Sequence, residues 1–398
     1  MLLLEVLAVL CTAIVLIKTI GAVIGLALSA RHIRGVSKPE PVNSRNIQKI
    51  LLIIPVLREQ NVITATLDYL LLHLIIPKVG VQVAIVGSIR ERMDRDQFRR
   101  RLNSVFIACK GARSQRTIED LLRGYFDAES IKWVFENRST FSETDFLECF
   151  ERQRSTREVV ETWISRNSEA NQETFTYLEC PHIGNRATQL NYCVNNLRRK
   201  LGNPDNTVIG IFDADSRPDP FTLIDLAESF RDPNLQCSQQ PLHYLHHANR
   251  LSSERRNPVL VASAIFQTTW SLVKEYPNLL RFYDHSSLKP SRAYRRSLYL
   301  NGHGEFLTLD LYEKIHGFPE GVTTDGIQLG YRLAMLNIPI KPALSFCGDE
   351  VPTTLKTLVL QHQRWFAGNL EFFHARSWVK KSGGALSFSA YFDNLLLN

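Results

Sequence analysis

Hydrophobic residues along the chain form continuous runs in some stretches and helical stripes in others. Apolar runs cover residues 50–54, 81–86 and 208–212, a shorter one covers 175–178, and turn-forming or polar residues follow them. Such runs are typical of strands buried on both faces of a parallel sheet. Residues 61–73, between the first two runs, carry apolar side chains at helical spacing. The pattern predicts an α/β fold with a mostly parallel sheet, flanking helices and right-handed crossovers.

The first 30 residues are almost wholly apolar, interrupted by Glu5 and Lys18. They are too many for the core of a signal peptide and no small-residue cleavage pattern follows, so we interpret them as a transmembrane anchor. A mid-span lysine costs about 2.5–3.5 kcal/mol on insertion scales, which the apolar neighbours can offset. A helix buried in a soluble protein is the alternative. Four basic residues follow and place the rest of the chain on the cytoplasmic side: Arg31, Arg34, Lys38 and Arg45.

The polarity pattern divides the remainder into segments. Residues 31–48 contain prolines and polar residues and are predicted to be a linker. Residues 49–373 are predicted to form one α/β domain, with a mostly helical insertion over about 90–174 that begins with a charged, solvated helix face. Residues 374–398 alternate apolar, aromatic and polar side chains, which predicts an amphipathic segment at a membrane interface. We therefore expect a membrane protein with one span or more.

Composition adds a charge that points to anionic ligands. The 398 residues carry a formal net charge of +7, with an ordinary globular content of 44% hydrophobic and 22% charged residues. Phospholipid headgroups, nucleotide diphosphates or nucleic acid would suit this charge. No nucleic-acid-binding motif is present, so nucleic acid is not expected as a partner. The seven cysteines are scattered without metal-binding spacing, which predicts reduced thiols and no zinc site.

Two carboxylates, Asp213 and Asp215, follow the apolar run at 208–212. Side chains alternate along an extended chain, so these two are expected to project the same way. A pair of hard oxygen ligands suits Mg²⁺ or Mn²⁺, and such an ion gathers phosphate oxygens. An acidic turn after a strand, without any metal, is the alternative.

Further candidate residues lie in the second half of the chain. Asp325 directly precedes a helical pattern, where it is either a catalytic carboxylate or a helix N-cap. His303 lies between two glycines that permit a tight backbone near a ligand. Three side chains share one face of a predicted helix and could touch a single ligand: Gln361, Arg364 and Trp365. A metal-binding role is less favoured than a structural or substrate-contacting one for three further histidines: His243, His246 and His247.

Six motifs in this order resemble inverting glycosyltransferases of family 2, in particular the membrane-bound branch with cellulose, hyaluronan and ceramide-glucose synthases. The resemblance covers roughly residues 49–373. The motifs are IIPVLREQNVI at 53–63, NRATQLN at 185–191, FDADSRPDP at 212–220, GHGEF at 302–306, TTDGIQLGYRL at 323–333 and QHQRW at 361–365. DxD alone is common, and it is the order and spacing of all six that make the resemblance specific.

The resemblance implies a GT-A fold, a nucleotide-sugar donor that is most often a UDP-sugar, and a lipid or glycan acceptor. Asp213 and Asp215 would hold the nucleotide and a divalent Mg²⁺ or Mn²⁺. Asp325 would be the general base, and one base without a second carboxylate nucleophile is consistent with inversion. Arg364 would meet the diphosphate. The remaining implied contacts are Pro55, Val56, Glu59 and Arg186 for the nucleotide sugar, and His303, Gln361 and Trp365 for the acceptor.

The chain also departs from the family pattern. Gly87 and Ser88 stand where many relatives have an aspartate that contacts uracil. Thr324 replaces the glutamate of the usual Thr-Glu-Asp, and Arg186 replaces a lysine. The multi-helix membrane region that normally follows the QxxRW motif is missing, so either the sequence stops short of it or a membrane partner subunit takes its place.

Two other functions remain open from the sequence. One is a non-catalytic or weakly catalytic scaffold that binds nucleotide sugars, since several motifs are altered. The other is a phosphatase of the haloacid-dehalogenase type, whose nucleophile motif also has the form DxD after a strand. The position of DxD deep inside the fold disfavours the phosphatase.

Overall fold

The structure is a computed structural model. It describes residues 2–35, 47–74, 80–167, 174–245, 258–280, 300–336, 338–352 and 354–381, with side chains from residue 16 onward in the first range and up to residue 34. The chain divides into two compact units. The first unit comprises Lys49–Asp215 and Ile315–Gly321, and the second comprises Met1–Gln48, Ser216–Lys314 and Val322–Asn398.

The first unit is organised on four parallel strands. They are β1 (Lys49–Pro55), β2 (Gly80–Ser88), β3 (Phe175–Cys180) and β4 (Thr207–Ile211), in the order β3-β2-β1-β4. The apolar runs of β1 and β4 are buried along almost their whole length, which confirms the predicted strands. The register pairs Pro55 with Val86 and Ile53 with Ile211, so the carboxyl ends of the strands meet at one edge.

Helices cover this sheet and fill the stretch between β2 and β3. Helix α2 (Ile63–His73) connects β1 to β2. Six helices follow within residues 89–167: α3 (Ile89–Arg100), α4 (Leu102–Lys110), α5 (Gln115–Leu122), α6 (Ala128–Asn137), α7 (Glu143–Glu151) and α8 (Thr156–Arg166). The first five, α3 to α7, share an aromatic core that includes Phe98, Phe126, Phe146 and Phe150, whereas α8 packs on α2, β2 and β3. The helical content predicted here is confirmed, and the status of the stretch as an insertion stays a prediction.

Helix α9 (Arg186–Leu201) links β3 to β4 and packs on β1, β2 and β3. Its buried face contains the apolar positions that the sequence pattern predicted, among them Leu190, Val194 and Leu197. The side chain of Asn185 caps its start by accepting from the backbone N–H of Thr188 at 3.3 Å. Gly202 follows its end with a positive φ of 78°, a conformation that glycine adopts readily.

The second unit contains shorter strands among helices. Strand β6 (Cys237–Gln239) pairs antiparallel with β8 (Glu305–Thr308) and parallel with β9 (Ile340–Pro342). Strand β10 (Cys347–Gly348) pairs antiparallel with β5 (Arg217–Pro218) and parallel with β7 (Leu242–His243). The elements are α1 (Leu2–Gly35), β5 (Arg217–Pro218), α10 (Thr222–Ser229), β6 (Cys237–Gln239), β7 (Leu242–His243), α11 (Pro258–Trp270), β8 (Glu305–Thr308), α12 (Leu309–Lys314), α13 (Asp325–Met335), β9 (Ile340–Pro342), β10 (Cys347–Gly348), α14 (Leu355–Leu370) and α15 (Phe372–Lys381). Residues 36–46 of the predicted linker and 382–398 of the predicted interfacial segment lie outside the described residues.

Helix α1 is the described helix that has the length and apolar composition to cross a membrane, over Leu16–Arg34. It extends to Gly35, beyond the predicted boundary at residue 30. Its contacts with the rest of the second unit run through small residues. Ser29 Oγ donates to the carbonyl of Leu272 at 2.6 Å, and Gly25 leaves room for the carbonyl of Val273. Both carbonyls belong to a π-helical segment, Ser271–Glu275, that continues α11.

The cysteines in the described part of the chain are free, in agreement with the predicted reduced thiols: Cys109, Cys149, Cys180, Cys193, Cys237 and Cys347. Burial raises the pKa of the Cys109 thiol to about 11. A protonated buried thiol is a poor nucleophile and packs as a small apolar side chain. The buried cysteines therefore belong to the cores of the two units, and the partly buried Cys149 packs against the core of the helical stretch.

Candidate active site

The carboxyl edge of the parallel sheet carries the residues predicted to bind a nucleotide. Pro55 ends β1, and Val56 follows it with its backbone N–H donating to Val86 at 2.9 Å. The amide Nε2 of Gln189, on α9, donates to the carbonyls of both Val56 (3.0 Å) and Val86 (2.7 Å). Gln189 thus ties the ends of β1 and β2 together. The sequence analysis did not single it out, although it lies inside the NRATQLN motif.

The loop after β1 holds an unusual backbone conformation. Arg58 has φ of +63°, which costs energy for a residue with a Cβ and persists where surrounding contacts fix it. Its N–H donates to Glu91 Oε2 at 3.1 Å, and its guanidinium donates to the hydroxyl of Tyr125 at 3.1 Å. The next residue, Glu59, donates its backbone N–H to Thr156 Oγ1 at 2.9 Å. Residues of the helical stretch therefore shape the loop that carries Glu59.

Asp213 and Asp215 follow β4 as predicted, but the chain turns there. The strand ends at Ile211, Phe212 donates to the carbonyl of Ile53 at 3.1 Å, and residues 214 and 215 form a turn. Ala214 is buried while both aspartates are partly exposed. The two carboxylates therefore keep access to solvent at the end of a buried strand. The hydroxyl of Thr66 donates to the carbonyl of Ala214 and fixes this turn.

Arg186, predicted to contact phosphate, pairs with the first of these carboxylates. Its guanidinium NH2 lies 3.0 Å from Asp213 Oδ1, with 24% of the arginine and 41% of the aspartate side chain exposed. Arg186 is the first residue of α9, where backbone N–H groups without helical partners favour negative charge. A cation, the start of a helix and two carboxylates therefore adjoin at one end of the sheet.

Gly87, one of the two residues at the position where many relatives carry a uracil-contacting aspartate, has a steric reason to be glycine. The Tyr177 hydroxyl occupies the space that a Cβ on Gly87 would need. Residue 87 must therefore be glycine unless the tyrosine moves. Burial, with smaller contributions from Glu91 and Glu179, holds the pKa of the Tyr177 phenol well above its usual value. This tyrosine is protonated at neutral pH.

In the second unit, Asp325 begins helix α13. Thr324 takes the N-cap position and its side chain makes no capping hydrogen bond, so the alternative that Asp325 is an N-cap is wrong. Asp325 is partly exposed. The preceding Thr323 is held by Glu371, which accepts from its backbone N–H at 2.8 Å and from its hydroxyl at 2.5 Å. An acidic side chain thus reaches this motif from another helix, although Thr324 has replaced the usual glutamate.

Helix α14 carries the QxxRW motif against the start of α13. Gly368, one turn after Arg364, packs so closely on Thr324 that a Cβ there would overlap the threonine hydroxyl. Gln328 Nε2 donates to the Gly368 carbonyl at 3.2 Å. Arg364 is exposed, Trp365 is half-buried, and the buried Gln361 Oε1 has no partner among the described residues. The structure therefore brings the motif that contains Asp325 next to the helix that contains Gln361, Arg364 and Trp365.

His303 is largely buried. Only 10% of its side chain is exposed, and its Nε2 contacts the carboxylate of Asp349. His243 packs against Gly348 nearby, and burial lowers the pKa of its imidazole. His246 and His247 lie outside the described residues. Asp349 was missed by the sequence analysis as a member of this site, because its partners are distant in sequence.

Nothing in the described residues groups three or more His, Cys, Asp or Glu side chains as a metal cage. Asp213 and Asp215 nevertheless fit Mg²⁺ or Mn²⁺, because both are partly exposed oxygen donors beside a phosphate-compatible helix start. Such an ion usually takes one or two carboxylates and completes its shell with water and substrate phosphates. The residues present therefore suit an ion that arrives with a nucleotide.

The chain is similar to glycosyltransferases in a comparison of solved structures and in a comparison with protein-family profiles. Among solved structures it is similar to mannosyltransferase PcManGT from Pyrobaculum calidifontis in complex with GDP-Man and Mn²⁺ (13% identity, TM-score 0.42, 96% of this chain and 88% of that chain). It is also similar to TarS residues 1–349 of S. aureus in complex with UDP-GlcNAc (13% identity, TM-score 0.36, 76% of this chain and 59% of that chain). No functionally curated protein matches the sequence. The profile of the family described as glycosyltransferase like family 2 matches residues 148–368, more than half of the chain. The chain therefore belongs to this family and is a glycosyltransferase with a GT-A type α/β fold.

Proposed function

We propose that this protein is a membrane-anchored, inverting glycosyltransferase that moves a sugar from a nucleotide sugar to a lipid or polysaccharide acceptor. A UDP-sugar is the expected donor. The observation that carries the proposal is the packing of α13 on α14, where Gly368 meets Thr324. It supports a shared role for Asp325 and Arg364, which lie beside this contact.

The first unit supplies the donor contacts in this proposal. Pro55, Val56 and Glu59 line the nucleoside at the end of β1, and Arg186 contacts phosphate. Asp213 and Asp215 hold the nucleotide and a divalent cation, which when bound neutralises the charge of the departing diphosphate. The ion pair between Arg186 and Asp213 supports this assignment, because it keeps a cation beside the carboxylates before phosphate arrives. Gly87 and Ser88 stand in place of the usual aspartate, and the Tyr177 hydroxyl fills the space beside Gly87, so we expect base recognition to differ from that of relatives.

The second unit supplies the base and the acceptor contacts. Asp325, which is partly exposed, accepts the proton of the attacking acceptor hydroxyl. Direct attack opposite the leaving diphosphate inverts the anomeric centre. Arg364 stabilises negative charge on the diphosphate, and the half-buried Trp365 offers a flat apolar face to sugar C–H groups. Gln361 has an amide oxygen without a described partner and is assigned to the acceptor.

Membrane attachment is supported by where apolar side chains are exposed. In the second unit they concentrate on three helices, whereas in the first unit they are scattered over separate elements. The exposed ones in the second unit include Ile17, Ile20, Val23 and Ile24 on α1, Ile265 and Phe266 on α11, and Val359, Leu360, Phe366 and Leu370 on α14. Contiguous exposed apolar surface of this kind is typical of membrane or partner contact. We place α1 across the bilayer with the globular part on the cytoplasmic side, and keep a membrane partner subunit as part of the proposal.

The test offers radiolabelled UDP-glucose, UDP-N-acetylglucosamine and GDP-mannose to membranes that contain the full-length protein. Wild type should transfer label from one donor to lipid or polymer in the presence of Mn²⁺ or Mg²⁺. Asp325→Asn should lower this transfer by about 100-fold to 10,000-fold, the range for loss of a general base. Equal transfer by both proteins would remove Asp325 as the base.

The same experiment decides between the other functions left open by the sequence. Tight binding of UDP or GDP without transfer from any donor would favour a nucleotide-sugar-binding scaffold. Release of phosphate from small phosphoesters, without use of nucleotide sugars, would favour a phosphatase.

A further inference from the structure

We propose that Asp349 is a positioning residue for sugar transfer, acting through Ser216 and His303. This inference rests on the proposed function. Asp349 directly follows β10, and its described contacts are with Ser216, His303 and His243 rather than with the paired carboxylates or the QxxRW residues. It instead holds two segments of the second unit, one that continues from Asp215 and one that packs beside Asp325.

The carboxylate of Asp349 is buried, with 6% of the residue exposed. Its Oδ1 accepts from Ser216 Oγ at 3.3 Å, and its Oδ2 contacts His303 Nε2. Its backbone N–H donates to the carbonyl of His243 at 3.0 Å. A buried carboxylate is retained where its oxygens have partners, since an unpaired one is costly. Each oxygen of Asp349 serves one of the two segments.

The Ser216 segment begins immediately after the DxD motif. Ser216 is fully buried and follows Asp215 in the chain. The two residues after it form β5, which pairs with β10 in the register Gly348 to Arg217 and Cys347 to Pro218. The pairing of β5 with β10 holds the backbone that follows Ser216, and Asp349 holds the Ser216 side chain. Together they fix the path of the chain directly after Asp215.

The His303 segment is a tight loop held on several sides. Gly302 and Gly304 have φ of 89° and 62°, which their lack of a Cβ permits. Gln239, on β6, donates its Nε2 to the carbonyl of His303 at 3.0 Å and accepts from the N–H of Asn301 at 3.1 Å. The His303 ring is the part of this loop that Asp349 orients. Backbone and ring are thus fixed independently.

This loop is the surface on which helix α13 begins. A Cβ on Gly326 would overlap the backbone of Gly302, and Leu300 donates its N–H to the carbonyl of Gly326 at 3.3 Å. Gly326 directly follows Asp325. A shift of the His303 loop therefore moves the support of the proposed base. Displacements of about 1 Å cost on the order of 100-fold in rate when they misplace reacting groups.

Burial also revises the role expected for His303. With 10% of its side chain exposed and its Nε2 on a carboxylate, it has little surface to offer an acceptor sugar. We assign it to the same positioning network as Asp349. The signal for this network in the sequence is faint, since Ser216, His303 and Asp349 are separated by 87 and 46 residues. The pairing of β10 with β5 brings Asp349 to Ser216, and the contacts of Gln239 with the 301–304 loop hold His303.

The test compares full-length Asp349→Asn with wild type, using whichever of UDP-glucose, UDP-N-acetylglucosamine or GDP-mannose the wild type turns over. The amide replaces one acceptor oxygen by a donor, so either Ser216 Oγ or His303 Nε2 then faces an NH2 group in place of a carboxylate oxygen. We expect kcat to fall by about 10-fold to 100-fold, with the donor KM within about twofold of wild type. His303→Gln, whose amide can donate near the position of Nε2, should keep more activity than His303→Leu.

Asp225→Asn is the matched control. Asp225 is a buried carboxylate of the same unit, and it accepts from the N–H groups of Leu344 (2.7 Å) and Ser345 (3.0 Å). It has no bond to the His303 loop among the described contacts. Its substitution should lower the temperature of unfolding and leave kcat of the folded protein near the wild-type value. Equal kcat losses in Asp225→Asn and Asp349→Asn, or no better activity in His303→Gln than in His303→Leu, would overturn the positioning role.

Amide hydrogen exchange provides a readout that does not need turnover. Residues 300–306 and the first turn of α13 should exchange faster in Asp349→Asn than in Asp225→Asn. Unchanged exchange at both places would overturn the inference even if activity falls. If wild type turns over none of the donors, the proposed function fails, while the exchange result still decides whether Asp349 holds this loop.

Discussion

The two units of this glycosyltransferase hold their candidate residues in different ways. In the first unit the residues follow the ends of parallel strands, and backbone hydrogen bonds together with side chains such as Gln189, Thr66 and Thr156 fix them. In the second unit they lie on helices and a glycine loop, fixed by side-chain contacts such as Glu371 with Thr323 and Asp349 with His303. Strand register brings the first set to one edge of the sheet, and side chains then fix the loops. The second arrangement depends on packing between segments far apart in sequence.

The units also differ in what their surfaces expose. Large apolar side chains of the first unit that face solvent are isolated, for example Leu72, Ile107 and Ile183. Those of the second unit repeat along α1, α11 and α14. Isolated exposed apolar residues are normal on any soluble surface, whereas repeated ones mark a contact surface. In the proposed function, the first unit binds the nucleotide, and the exposed apolar side chains of the second unit are assigned to membrane contact.

We expect the largest loss of activity from removing the paired carboxylates of the first unit, Asp213 and Asp215. The double variant Asp213→Asn, Asp215→Asn should lose Mn²⁺-dependent binding of UDP, because a divalent ion contributes several kcal/mol of charge stabilisation. Transfer should fall by about 1,000-fold or more, since each 1.4 kcal/mol is tenfold. Isothermal titration of UDP with and without Mn²⁺ measures the binding. Asp325→Asn is the matched second-unit variant.

The two variants should fail differently. Asp325→Asn should bind UDP with Mn²⁺ as wild type does and be deficient in transfer alone. If the Asp213, Asp215 double variant kept its Mn²⁺-dependent affinity, the metal assignment would be wrong. If Asp325→Asn lost affinity to the same degree, the division of labour between the two units would not hold.

The sequence predicted the first unit in more detail than the second. The buried runs of β1, β2 and β4 needed only local pattern, and their parallel order follows from the helices between them. Asp213 and Asp215 could be placed at a strand end for the same reason. The turn at residues 214 and 215 could not be predicted, because it depends on Thr66 from another helix.

Second-unit features resisted prediction for a physical reason. The spacing of Gln361, Arg364 and Trp365 predicted a shared helix, which α14 confirms. That spacing does not predict that Gly368 lies on Thr324. The contact depends on the lack of a Cβ at Gly368 on α14 and on the position of Thr324 before α13, which are 44 residues apart in sequence. The π-helical segment after α11 was likewise not predicted. Its carbonyls at Leu272 and Val273 contact Ser29 and Gly25 of α1, so the segment depends on tertiary contacts rather than on local sequence.

An intermediate effect is expected from the charge on α14. Arg364→Gln should lower kcat by about 100-fold, a loss typical of removing one group that stabilises developing charge. Arg364→Lys should retain part of the activity as a point charge without the planar fork of donors. Steady-state transfer with the donor that wild type uses measures both. The neighbouring exposed Gln363→Ala, on the same helix, serves as control and should remain near wild type.

Equal loss in Arg364→Lys and Arg364→Gln would mean that bidentate geometry, rather than charge, is needed. Wild-type activity in both variants would remove Arg364 from the chemistry. In that case the second unit would supply a base without a cation, and charge stabilisation would belong to the first unit alone.

The smallest predicted effects compare how one helix in each unit begins. Asn185→Ala should destabilise the protein by about 1 kcal/mol, the usual cost of losing an N-cap side chain. Its Oδ1 accepts from the N–H of Thr188. Thr324→Ala should cost much less, because Thr324 makes no capping bond and its buried Oγ1 has no partner among the described residues. Urea unfolding of the detergent-solubilised full-length protein measures both.

The contrast tests what defines the start of α13. If packing of Gly326 on Gly302 and of Gly368 on Thr324 sets it, the threonine hydroxyl contributes little and the alanine variant unfolds at nearly the wild-type urea concentration. A cost for Thr324→Ala as large as that for Asn185→Ala would show that the hydroxyl caps the helix after all. The position of Asp325 would then follow from local sequence, as the positions of Asp213 and Asp215 do, and the distinction between the two units would lose its main support.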